Sequence, residues 1–182
     1  MKKTQIVIIV LSLILTSCTV VTWHDLKIKE VNNFKENLMK NNKYIEGIKF
    51  NYAISQLNIL VKLNKEPMVQ DVFKTFHSIR TLLVNEDFKK EFLKEYSKID
   101  KNTMTYPNVT ISFDFPNEEG INLEFDSKYY NDREKSKEKK IKGCETWMIN
   151  NLSRYDIKLP VEFTQEDYES FLDNRDKLEK VK

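Results

Sequence analysis

The sequence predicts an α+β domain: a small, largely antiparallel sheet covered mainly on one face by helices. Three patterns carry that expectation. Between Val109 and Phe125, two runs of alternating apolar residues flank Pro116-Asn117-Glu118-Glu119-Gly120, which is the period and turn composition of a β-hairpin. Ile48, Phe50, Tyr52 and Ile54 alternate with polar or small residues, and Leu57, Ile59, Val61 and Leu63 do so in the opposite parity. From Pro67 to Tyr96 the apolar residues recur instead at helical intervals, so two successive helices are expected to cover one sheet face.

The chain opens with a segment of a different kind. Lys2 and Lys3 precede an apolar block from Ile6 to Leu15, broken only by Ser12, the charge and length of a secretory signal. As a helix this block reaches about 15 Å, roughly half the hydrocarbon thickness of a bilayer. Small residues Thr16 and Ser17 follow, then Cys18. Leu15-Thr16-Ser17-Cys18 resembles the lipobox of bacterial lipoproteins. The resemblance implies diacylglyceryl attachment at the Cys18 sulfur and cleavage just before it, so that the mature chain begins at Cys18. The expected organisation is a signal peptide over 1–17, a lipidated cysteine and short tether over 18–23, and a single extracytoplasmic α+β domain over 24–182. An uncleaved anchor spanning Thr4 to Trp23 is the competing reading, since those twenty residues carry no charge; Thr16, Ser17, Cys18, Thr19 and Thr22 make its second half a poor apolar span. Either reading leaves the lysines inside and the domain outside.

The elements of the domain follow in order. Leu26, Val31, Phe34, Leu38 and Met39 read as an amphipathic helix between Asp25 and Asn41, and His24 as part of the tether. The parity change at Ser55-Gln56 admits a bulge in one bent strand or a tight connection between two; the lack of Gly, Pro or Asn-Gly there favours the bulge. Pro67 suits the first turn of a helix bearing Val69, Val72, Phe73, Phe76, Ile79, Leu82 and Leu83. Asn85 is placed to cap a second, with Phe88, Phe92, Leu93 and Tyr96. After the hairpin, Ile141, Cys144, Met148, Leu152 and Tyr155 stand at helical spacing, predicting a helix with a solvated, charged start. Asp156 to Phe163 is expected to be extended, and Thr164 to open a last helix carrying Tyr168, Phe171, Leu172 and Leu178.

Charge and cysteine content exclude some functions. The whole chain has 30 Lys and Arg against 28 Asp and Glu. Both lysines of the signal leave with it, so the mature chain is balanced and no nucleic-acid partner is expected. With Cys18 taken by lipid, Cys144 is the remaining cysteine, and no intrachain disulfide forms.

Candidate chemistry is sparse. His77 is the one imidazole inside the expected domain, at a core-facing helical position that favours packing over catalysis. Cys144, in an apolar stripe, reads as a buried thiol rather than a nucleophile paired with His77. No spacing suited to zinc and no glycine-rich phosphate loop occurs, so no cofactor is expected. Asp114, Glu118, Glu119, Glu124 and Asp126 gather on the polar side of the hairpin, where they form a solvated face, a weak cation site or an acid/base pair. Arg133, Lys135, Lys137, Lys139, Lys140 and Lys142, diluted by Glu134 and Glu138, make a basic stretch that reads as a solvated helix face or a contact for anionic head groups. These features predict a membrane-anchored protein that binds an envelope protein partner or modulates an envelope process. The alternative is an envelope hydrolase using carboxylates on the hairpin.

Overall fold

The computed structural model describes residues 21–101, 107–116, 123–127, 144, 147–150 and 162–163. Strands β1 (His24–Asp25), β2 (Ile45–Ala53), β3 (Gln56–Leu63), β4 (Asn108–Asp114), β5 (Leu123–Ser127), β6 (Trp147–Asn150) and β7 (Glu162–Phe163) lie side by side in chain order. Every neighbouring pair is antiparallel except β3 and β4. A parallel pair needs a long crossover, and α2 (Val69–Val84) and α3 (Glu86–Tyr96) supply it. Helix α1 (Lys29–Asn41) fills the β1–β2 connection. The fold is therefore α+β, as expected, with an open and mostly antiparallel sheet.

The three helices of the described residues all pack on one side. Phe34 of α1 meets Phe50 edge-on at 6.2 Å, Phe73 and Phe76 of α2 meet Phe125, and Phe92 of α3 meets Tyr52. The partners belong to a single parity of their strands, continued by Ile48, Leu57, Ile59, Val61, Val109, Ile111, Phe113 and Trp147, all buried. Alternation along each strand thus becomes one apolar layer, because successive side chains point to opposite faces.

Local signals account for much of this. The Asn85 side chain accepts a hydrogen bond from the Phe88 N–H at 3.0 Å, so one residue ends α2 and caps α3. The β4–β5 pairing runs in antiparallel register from Thr110↔Asp126 to Phe113↔Leu123, as the hairpin pattern predicts.

Four expectations are corrected. At Ile54-Ser55 the chain forms a two-residue hairpin turn, with Ala53 paired to Gln56 and Ser55 at φ 68°; it is not a bulge. Two tertiary contacts hold it: the Ser55 N–H donates to Tyr96 Oη at 2.7 Å, and the Ser55 carbonyl accepts from the Asn108 N–H at 3.0 Å. A bulge does occur, but between Ile45 and Gly47.

The second correction is at Trp147–Asn150, which is a strand on β5 and not part of a helix. Trp147 and Ile149 face the core while Met148 and Asn150 face the other way. Cys144, the supposed centre of that helix, has φ 64°, which a right-handed helix does not allow. The third is that α1 starts at Lys29 rather than at Asp25. Leu26 and Ile28 are buried in the segment before it, and the Leu26 N–H donates to Phe50 O at 2.8 Å. Finally, His24 lies in β1 opposite Tyr52, its ring 5.5 Å from the tyrosine ring, and so belongs to the sheet rather than to the tether. The expected helix after Thr164 and the extended run from Asp156 to Val161 lie outside the described residues.

Candidate functional site

Among the described residues the second face of the sheet carries mainly polar side chains, and none of the three described helices packs on it. Its residues are those of opposite parity: Asn51 on β2, Gln56, Asn58 and Lys62 on β3, Asn108, Thr110, Ser112 and Asp114 on β4, Glu124 and Asp126 on β5, and Asn150 on β6. Register lines them into rows. One row runs Asp25, Asn51, Asn58, Thr110, Asp126 and Met148; the next runs Lys49, Leu60, Ser112, Glu124 and Asn150.

Within this face the hairpin carboxylates are tied to neighbours. Thr110 Oγ1 donates to Asp126 Oδ1 at 2.7 Å, and Asn150 Nδ2 donates to Asp126 Oδ2 at 2.7 Å. Gln56 Nε2 donates to Thr110 Oγ1 at 3.3 Å, and Ser112 Oγ to Glu124 Oε1 at 3.3 Å. A chain of donors therefore leads across β3, β4, β5 and β6 and ends on one carboxylate. At the edge, the Asn51 amide, with its nitrogen turned toward Asp25, donates to Asp25 Oδ1 at 3.0 Å. Asn58 Oδ1 and Asn108 Oδ1 are shielded from solvent and accept no hydrogen bond among the described residues.

The sheet itself separates the other candidates. His77 lies on α2, on the apolar side, whereas Asp114, Glu124 and Asp126 face the opposite way. An imidazole and acids on opposite faces of a sheet do not assemble into a triad. Among the described residues no group of three or more His, Cys, Asp or Glu is placed to hold a metal ion.

Cys144 is buried, with 3% of its surface exposed. Burial pushes its thiol up from the ordinary 9.0 to about 12, against the smaller opposing pull of a hydrogen bond with Ser127 and of nearby Arg80 and Lys89. A thiol so protonated is a poor nucleophile. What the residue contributes is its carbonyl, which accepts from Arg80 Nε and from Trp147 Nε1, each at 3.0 Å. The left-handed backbone at Cys144 and this double clamp position the start of β6.

An open depression on α1 is lined by Asn32, Lys35, Glu36, Met39, Lys40 and Lys43. It is basic and holds neither a nucleophile nor an imidazole. Cys18, Glu118, Glu119 and the basic stretch from Arg133 to Lys142 lie outside the described residues.

Sequence reasoning placed the acidic residues on one face of the hairpin but missed the partners that engage them. Gln56 and Asn58 were legible as the polar parity of β3. Asn150 was not, because its strand had been read with a helical period. The chain matches no protein-family model, no curated protein and no solved structure.

Proposed function

We propose that the chain is an extracytoplasmic bacterial lipoprotein, held in the cell membrane by a diacylglyceryl group on Cys18, whose domain acts by binding an envelope protein partner. The observation that carries the reading is Leu15-Thr16-Ser17-Cys18 behind Lys2, Lys3 and an apolar block of signal-peptide length. Two acyl chains hold a protein at a membrane where one holds it only marginally, since each buried CH₂ contributes about 0.8 kcal/mol.

Binding is favoured over catalysis by how the polar face is wired. A hydrolytic carboxyl exchanges a proton with substrate or water, and both oxygens of Asp126 are engaged by Thr110 and Asn150. A broad face of amides, hydroxyls and carboxylates supported by a rigid sheet suits hydrogen bonding to the surface of another protein. The hydrolase reading has no such observation in its favour.

Metabolic labelling with a palmitate analogue tests the anchor: label on the wild-type chain and none on Cys18→Ala is the expected result, and an unlabelled wild type overturns it. Crosslinking from intact membranes tests the binding role. A defined partner captured by wild type, and lost when Asn58 and Thr110 are both changed to Arg, is expected. Capture unaffected by that pair of changes would remove the polar face as the binding surface.

A further inference from the structure

The end of the sheet nearest the anchor carries exposed apolar side chains that the core does not use. Among the described residues four large hydrophobic side chains are exposed: Val21 at 60%, Trp23 at 43%, Ile54 at 66% and Met68 at 69%. Three of the four belong to one end. Antiparallel pairing of His24 with Tyr52 and Asp25 with Asn51 carries the preceding residues, Trp23 and those before it, toward Ala53 and the Ile54-Ser55 turn. Met68 belongs to the other end, since Tyr44, just before β2, donates to the Asp71 carbonyl in the first turn of α2 at 3.0 Å. Strand β2 separates the two ends by about 27 Å at 3.4 Å per residue.

Chain length decides what lies against the first end. Cys18 is three residues before Val21, so its Cα is within about 11 Å of Val21 in any conformation of the chain. With acyl chains at Cys18, the bilayer surface is that close. A tryptophan beside two aliphatic residues is the composition favoured where headgroups meet acyl chains. The charges placed beside this end are mixed, Asp25 and Glu95 against Lys98, and Lys98 is paired with Glu95 at 2.7 Å. An apolar contact, rather than attraction to anionic headgroups, is what such a surface makes.

We propose that Val21, Trp23 and Ile54 form a foot that inserts into the interface of the bilayer carrying the anchor, standing the sheet on its β2–β3 turn with the Met68 end directed away from the membrane. The proposal builds on the lipoprotein reading for the position of the membrane. It adds a second, non-covalent contact and a fixed orientation. The polar face then stands upright beside the membrane, directed toward a partner in the same plane.

The test uses the full chain, expressed and purified from membranes, in phosphatidylcholine vesicles containing lipid brominated at shallow acyl positions. Trp23 emission is expected to be quenched and Trp147, 1% exposed in the core, to be spared, so Trp23→Phe removes the quenching. On that background Ile54→Trp restores it, whereas Met68→Trp does not. Adding anionic phosphatidylglycerol or salt leaves the quenching unchanged. Unquenched Trp23, equal quenching of the tryptophans at 54 and 68, or a requirement for anionic lipid each overturns the foot. The mass of the amino-terminal peptide from the same preparation reads the anchor separately. An acylated Cys18 without quenching defeats the foot alone, and quenching with an unmodified Cys18 defeats only the lipoprotein reading.

Discussion

Single residues settle how the domain's few irregular positions are held. Ser55 adopts φ 68° without being glycine, a conformation costing a non-glycine residue about 1 kcal/mol or more, and the Tyr96 hydroxyl helps to stabilise it. Tyr96→Phe should therefore cost about 1 kcal/mol, the net worth of one hydrogen bond, measured by urea denaturation. Gly47 lies in a strand where an added Cβ would meet nothing within 4 Å. Gly47→Ala should raise stability by about 0.5 kcal/mol, because glycine loses more backbone freedom on folding than alanine. Cys144 yields a pH prediction. Its folded-state value is raised, so its contribution is fully present below the unfolded value near 9.0 and is lost as pH climbs toward about 12. Stability should fall across that alkaline window, and fall less in Cys144→Ala. Alkylation of the native thiol at neutral pH should be at least about a thousandfold slower than that of a free thiol, the ratio that a rise from 9.0 to about 12 sets for thiolate.

At the level of elements, the strongest couplings join helix to sheet through aromatic rings. Phe76 of α2 stacks on Phe125 at 4.3 Å and meets Trp147 edge-on at 5.0 Å, with 1% of its surface exposed. Phe76→Ala should cost about 3–5 kcal/mol, a large part of the total stability of a domain this size, read as a lowered thermal midpoint. Asn85→Ala should cost about 1 kcal/mol by removing the cap of α3. Another polar pin joins the residue just before β2 to α2: the Tyr44 hydroxyl lies 2.6 Å from Thr75 Oγ1 and donates to the Asp71 carbonyl at 3.0 Å. Burial there raises the Tyr44 pKa, assisted by Asp71 and opposed by Thr75. Helices α2 and α3, the cap between them and the β4–β5 hairpin were legible because each is written in periodicity or in a residue adjacent to the feature it controls. Strand β6 was not. Four residues fit a helical stripe through Met148 as well as an alternation through Trp147 and Ile149, and pairing with β5 chose between them.

Across the whole molecule, the sheet divides its chemistry between two faces. Aromatic and aliphatic side chains gather under the helices, and amides, hydroxyls and carboxylates line the other side. This division keeps His77 from the hairpin acids, whatever their separation along the chain. The candidate site was half visible beforehand. The acidic parity of β4 and β5 could be read directly, whereas its continuation onto Gln56 and Asn58 depended on the parallel pairing of β3 with β4, which joins residues about fifty positions apart. If the anchor is as proposed, Cys18→Ala, with residues 1–17 replaced by an ordinary cleavable export signal, should shift the protein from the membrane to the soluble fraction, with its thermal midpoint unchanged, since among the described residues the domain's core contains nothing before Leu26.

The sequence by itself determined the class of fold, the helices over one face, the cap at Asn85 and the acidic side of the hairpin. Each is a short-range pattern whose physics acts within a few residues. Only the tertiary structure decided that Ile54-Ser55 is a turn, that Trp147–Asn150 is a strand and that Asp126 is engaged on both oxygens. Those outcomes depend on groups brought from far along the chain, Tyr96, Asn108, β5 and Asn150, and until the sheet assembles no local preference distinguishes them from their alternatives.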